Sequence, residues 1–181
     1  MSLLRPRVPV PWYNGAAPFL AGERPTGPAM PEDEPNPNLL LWSEEMQQAT
    51  WSKTSCTATA DAGADPLSGA TADEVVFAAT GVLAQTAFAA TTGATVFLNH
   101  TLSSGWVRYS LTGTFDGTAY VLSVWINEPS GSNSELRLQM HRVGGVVVCS
   151  LRNTGDDPTV LVWGWKLETP DLTAYVKREG T

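Results

Sequence analysis

The sequence predicts an all-β protein, a two-sheet antiparallel jelly-roll sandwich preceded by an extended, proline-rich N-terminal arm. Three observations carry this. Nine of the thirteen prolines fall within residues 1–37. From Asn38 onward, short alternating segments are separated by turn residues, and no long helical period interrupts them. A chain of 181 residues accommodates one ordinary domain plus an appendage. Residues 1–37 are therefore read as the arm and 38–181 as the domain. A domain of that size buries roughly two-thirds of the surface its unfolded chain exposes, so it needs neither metal nor disulfide to be stable.

In the arm, proline fixes φ and removes a backbone donor, which excludes helix and interior strand and favours extended backbone. Trp12, Tyr13, Phe19 and Leu20 punctuate the segment. Large apolar side chains without a core of their own are anchors that seek a surface elsewhere. That surface is either a neighbouring subunit or the chain's own domain. The first reading is carried forward, because an arm that orders on a neighbour ties a symmetric assembly together over a large area.

In the domain, Ser43 is placed to cap a single helical turn through Glu44, Glu45 and Gln47, closed by Trp51. Segment 106–112 alternates Val107, Tyr109 and Leu111 against Trp106, Arg108, Ser110 and Thr112, and Asp116-Gly117 then offers a turn. In 118–127, Tyr120, Leu122, Val124 and Ile126 take one face while Ala119, Ser123, Trp125 and Asn127 take the other. In 135–141, Leu136, Leu138 and Met140 alternate with Arg137, Gln139 and His141. Gly144-Gly145 then turns the chain into Val146, Val147 and Val148, a hairpin. After the turn-rich stretch Asn153 to Pro158, the last strand runs from Val160 to Leu167, with Leu161, Trp163, Trp165 and Leu167 expected on one side. Many short antiparallel strands without helices make a sandwich.

Composition narrows the function classes. Eighteen acidic against eleven basic residues give a formal net charge of −7, with no Lys/Arg cluster of the kind a phosphate backbone demands, so neither nucleic acid nor an anionic membrane surface is an expected partner. The longest apolar runs, such as Val160 to Trp165, are strand-length, well short of the roughly 20 residues of a membrane-spanning helix. Arg5 and Arg7 are followed by prolines instead of an apolar segment, so synthesis in the cytoplasm without a secretory signal is expected. Cys56 and Cys149 are too far apart for a metal motif. They are either buried thiols acting as small hydrophobes or one disulfide closing the sandwich.

Four motifs, in order, resemble a known family. Asn38-Leu39-Leu40-Leu41-Trp42-Ser43-Glu44-Glu45 with Trp51-Ser52-Lys53 is similar to the opening of carbohydrate-binding-module-like (concanavalin-like) jelly-roll domains of tailed-bacteriophage and gene-transfer-agent structural proteins. Pro66 to Asp73 resembles the family's Pro-Asp-Gly-Thr…Ala-Asp segment, with Leu67-Ser68 departing from it. Tyr120 to Ile126 resembles its Tyr-x-x-Ser-Val-Tyr-Val strand. Trp163-Gly164-Trp165-Lys166-Leu167-Glu168, ending at Tyr175-Val176, resembles its closing motif, with Lys166 where the family has glutamine. The resemblance covers nearly all of 38–181 and implies a sandwich in a virion or surface setting, often with glycan contact.

Catalysis is not expected. His100 and His141 are the only histidines, no nucleophile-elbow motif accompanies them, and the carboxylates cluster in the arm and in turns such as Asp156-Asp157. Sugar binding has a better basis, because an aromatic ring on a polar sheet face stacks on a pyranose while amides and guanidinium groups bond its hydroxyls. Trp125 leads, with Trp106, Arg108, Asn127, Arg137 and Gln139 expected to share its face under jelly-roll pairing. The competing reading is a tryptophan that fills space between sheets or subunits. Glu44 and Glu168, near the two ends of the domain, are the candidate ligands should a calcium ion staple the termini; no cofactor is otherwise expected. Together these readings give a non-enzymatic virion component such as a head spike, fibre base, capsid decoration or tail-fibre part. Its arm is expected to engage capsid, neck or fibre subunits, and its jelly roll to project as a homo-oligomer toward cell-surface polysaccharide. The alternative is a free carbohydrate-binding module or an accessory domain of a glycan-active enzyme.

Overall fold

Among residues 38–102, 104–128 and 135–169, which the computed structural model describes, eight β-strands form and no helix does. The arm, with Trp12, Tyr13, Phe19 and Leu20, and the closing Tyr175-Val176 lie outside the described residues. The strands are β1 (Ser52–Gly63), β2 (Ala72–Ala89), β3 (Val96–Thr101), β4 (Val107–Phe115), β5 (Thr118–Asn127), β6 (Glu135–Val143), β7 (Val146–Asn153) and β8 (Thr159–Glu168). All pair antiparallel in the order β3-β6-β7-β2-β8-β5-β4, with β1 on the other edge of β2.

The long β1–β2 ribbon makes this a sandwich. The first part of β2, Asp73 to Val76, pairs with β8, and its last part, Val82 to Ala89, pairs with β7. Between them, Thr80 takes φ 61° and Ser55 on β1 takes φ 48°, where the β1–β2 register breaks. Such irregularities bend a strand sharply, so one ribbon serves two layers, β3-β6-β7-β2 and β2-β8-β5-β4. With the halves of β2 counted separately, its pairs with β8 and β7, then β3–β6 and β4–β5, nest as in a folded jelly-roll ribbon. The lateral neighbours here are β6 with β7 and β5 with β8. On the far side β3 and β4 nearly close the sandwich, through the His100 ring 3.6 Å from that of Tyr109 and a backbone bridge from Gly93 to Phe115. Gly93 has φ 132°, and a Cβ there would strike the Phe115 ring.

The alternation in the sequence places the core. Leu122, Val124 and Ile126 of β5, Leu136, Leu138 and Met140 of β6, and Val147, Cys149 and Leu151 of β7 are all buried. Asp116-Gly117 and Gly144-Gly145 adopt positive φ at both turn positions, the type I′ geometry that matches strand twist. The last strand departs from its expected pattern. Leu161 and Trp163 do not share a side with Trp165 and Leu167, because Gly164 (φ 64°) forms a bulge where Trp125 pairs with Trp163 but Ser123 pairs with Lys166. Val160 and Val162 therefore face the core before the bulge, and Trp165 and Leu167 after it. Both cysteines are free thiols. Cys149 lies in the core and Cys56 donates to the Val82 carbonyl.

Residues 38–51 form a clasp of successive turns, Glu45 to Trp42, Gln48 to Glu45 and Trp51 to Gln48, in place of the helical turn expected from Ser43. The clasp closes the edge of β8 that β2 leaves open. Leu39 N–H donates to the Leu167 carbonyl, Trp165 N–H donates to the Ser43 carbonyl, and buried Asn38 bonds three backbone groups. The Gln85 amide pairs with both backbone groups of Leu41. The Lys53 ammonium sits among the carbonyls of Met46, Gln47, Gln48 and Trp51 at 2.8–3.3 Å, a built-in cation for a turn with too many acceptors. Trp51 packs on Trp165 with ring centroids 4.9 Å apart.

Asp73 ties the clasp to β1, accepting from Met46 N–H at 2.6 Å and Asp61 N–H at 3.1 Å. Burial pushes its carboxyl up from 3.8 to about 6, against the pull of those amides. The folded value lies above the unfolded one, so the stability this group contributes is complete below pH 3.8 and is lost as pH rises toward 6. Asp73→Asn cannot ionise and should lack that decline. Urea midpoints of the two chains from pH 4 to 7 check this, and identical pH slopes would refute it.

Candidate ligand-binding faces

The six residues expected to share a face fall on two. Trp106, Arg108, Trp125 and Asn127 gather at β4 and β5, where Arg108 lies opposite Trp125 and Trp125 opposite Trp163. Arg137 and Gln139 stand on β6, in the other layer, because β7 and β2 intervene between β6 and the β8–β5–β4 group. Jelly-roll pairing therefore does not unite them.

The Trp125 face is largely spent on itself. Arg108 Nη2 donates to Ser123 Oγ at 3.0 Å, and Asn127 Oδ1 accepts from Gly105 N–H at 2.9 Å. Trp163, beside Trp125, is buried and donates to Thr71 Oγ1. Trp125, Trp106 and Arg108 are half-buried, which fits a tryptophan that fills space. Arg108 Nε is buried without a partner.

The β3-β6-β7 face exposes Phe97 and Arg152, with Arg137 and Gln139 half-buried and Ser150 buried between them. Because Leu136, Leu138 and Met140 are fully buried, Arg137, Gln139 and His141 project to the outer side of β6. The register sets Phe97, Gln139 and Ser150 in one row and Asn99, Arg137 and Arg152 in the next. Phe97 is 55% exposed. The Arg137 guanidinium lies 4.4 Å from its ring centroid, and Arg137 Nε donates to Asn99 Oδ1 at 2.8 Å. The Gln139–Ser150 row continues through Ala84 of β2 to Ser52 of β1 and into an open groove of 480 Å³ lined by Thr50, Ser52, Ala84, Thr86 and Val148. Five strands at about 4.8 Å spacing give this surface a width of about 19 Å.

Sequence reasoning missed Phe97, Asn99 and Arg152. Arg152 was findable, since counting outward from the Gly144-Gly145 turn places it opposite Arg137. Phe97 was not, because Val96-Phe97-Leu98 reads as core text and only its place on an edge strand exposes it.

Glu44 and Glu168, the candidate calcium ligands, are both buried. Glu168 pairs with the Lys166 ammonium at 2.7 Å, and among the described residues no three His, Cys, Asp or Glu side chains group as metal ligands. Residues with displaced proton affinity serve the fold. Asp73 holds the clasp, burial lowers the pKa of His100 where it stacks on Tyr109, and burial raises that of the Cys149 thiol in the core. No helix among the described residues is long and apolar enough to cross a membrane. No family model, curated protein or solved structure matches the chain.

Proposed function

We propose that this chain is a non-enzymatic attachment protein that binds cell-surface saccharide through the β3-β6-β7 face and is held in a virion by residues 1–37. The observation that carries the binding half is Phe97, a large exposed aromatic ring with the Arg137 guanidinium over it, fixed by Asn99, and with Gln139 opposite it in the strand register. A ring of that kind offers a pyranose an apolar surface, and the amides and guanidinium offer its hydroxyls donors and acceptors. The groove beyond Ser150 gives a polymer room to continue. The virion half rests on the arm's prolines and its anchors Trp12, Tyr13, Phe19 and Leu20.

Retention of the full chain on immobilised host-surface polysaccharide tests the binding half. Phe97→Ala should weaken retention about tenfold, as loss of a stacked ring worth roughly 1–1.5 kcal/mol does, with unchanged thermal stability. Trp125→Ala, on the other face, should retain fully. The reverse pattern would move the site to β4–β5, and full retention by both would refute saccharide binding through either face. For the anchor, particles made with a chain lacking residues 1–37 should carry none of it; full occupancy would refute that half.

A further inference from the structure

We propose that the same face selects acidic saccharides, holding a sugar carboxylate between Arg137 and Arg152; this rests on the saccharide reading above. The two arginines are direct cross-strand partners on the outer face of the β6–β7 hairpin. Side chains so placed have Cβ atoms about 4.5–5.5 Å apart, and like charges there are destabilising unless an anion lies between them. The chain has eighteen acidic residues to eleven basic ones, yet among the described residues neither guanidinium enters an ion pair. Glu135, two residues from Arg137 on the same strand, forms none with it.

The posture of Arg137 points to the same ligand. Its Cζ lies over the Phe97 ring, and its Nε is spent on Asn99 Oδ1. That leaves the two Nη groups as a fork, which matches the two oxygens of a carboxylate. A ligand with a carboxylate on a pyranose would meet the fork and the ring together, with Arg152 supplying the second cation. A nucleic acid would offer phosphate too, but one arginine pair is a small footprint for a phosphate backbone.

The test compares binding of the full chain to polygalacturonate, to the same polymer with its carboxyl groups reduced to alcohols, and to single-stranded DNA. The acidic polymer should bind at least tenfold more tightly than the reduced one, as expected when charge-assisted hydrogen bonds are lost. Arg137→Gln and Arg152→Gln should each erase most of that difference while leaving weak binding to the reduced polymer. Equal binding of both polymers would overturn acid selectivity and leave the saccharide reading standing. Binding of neither would overturn both. DNA bound as tightly as polygalacturonate would show a general polyanion patch and overturn the proposal, as would an acid preference that survives in the double Arg137→Gln/Arg152→Gln variant.

Discussion

Asn38→Leu should destabilise the full chain by about 3–6 kcal/mol, a large share of the roughly 5–15 kcal/mol that holds a typical domain folded. Asn38 is fully buried. Its Oδ1 accepts from Leu40 N–H at 3.2 Å and Leu167 N–H at 3.1 Å, and its Nδ2 donates to the Trp165 carbonyl at 2.8 Å. Leucine approximates the volume but leaves two donors and one acceptor buried and unpaired, each costing about 1–3 kcal/mol. Asn38→Asp keeps both acceptor bonds but turns the Nδ2 donor into an oxygen facing the Trp165 carbonyl, so it should also destabilise. Urea unfolding with an unchanged slope would read the loss. A cost for Asn38→Leu below about 1 kcal/mol would mean that the clasp is not part of the cooperative fold.

That residue also explains why the motifs were informative about one thing and silent about another. Asn38 opens the first motif and Trp165 and Leu167 sit in the last, and they are bonded to each other. Trp51 of the Trp51-Ser52-Lys53 motif packs on Trp165, Lys53 fills the turn's carbonyl cage, and Asp73, ending the Pro66 to Asp73 motif, anchors Met46. Three of the four motifs thus meet at one structural joint, the clasp over the edge of β8. Their residues encode closure of a sandwich, and of them Ser52, on β1, reaches only the margin of the candidate face.

The hairpins β4–β5 and β6–β7 were legible because large apolar residues occupy one face of each strand and a two-residue turn fixes the register. Strand β1 was not delimited. Its Ser/Thr/Ala-rich text contributes little to the core, because it lies at an edge and pairs only with β2. The face reversal in β8 was invisible because a strict period of two cannot anticipate the residue that Gly164 adds. The candidate site suffered from the same cause at longer range. Trp125 and Arg137 each sit on the polar side of an alternating strand, but alternation says nothing about which layer a strand joins.

Glu168→Gln or Lys166→Met should each cost about 3–5 kcal/mol, whereas the double replacement Lys166→Met/Glu168→Leu should be far milder than the sum. Lys166 and Glu168 lie two residues apart on β8, 2.7 Å from nitrogen to oxygen, with side chains 0% and 1% exposed. Taking either charge away removes the 2.7 Å partner of a charge held out of water, and breaking a buried ion pair from one side is strongly destabilising. Removing both eliminates the desolvation cost together with the attraction, so apolar replacements of similar volume can come close to the original stability. The expected signature is a coupling energy of at least about 3 kcal/mol in a double-mutant cycle. Additive losses would mean that each charge is held by other groups and that the pair itself contributes little. The same coupling explains how a lysine is accommodated at position 166. A lysine there is tolerable when a carboxylate two residues on the same side of the strand receives it, so Lys166 and Glu168 should be replaceable only as a unit.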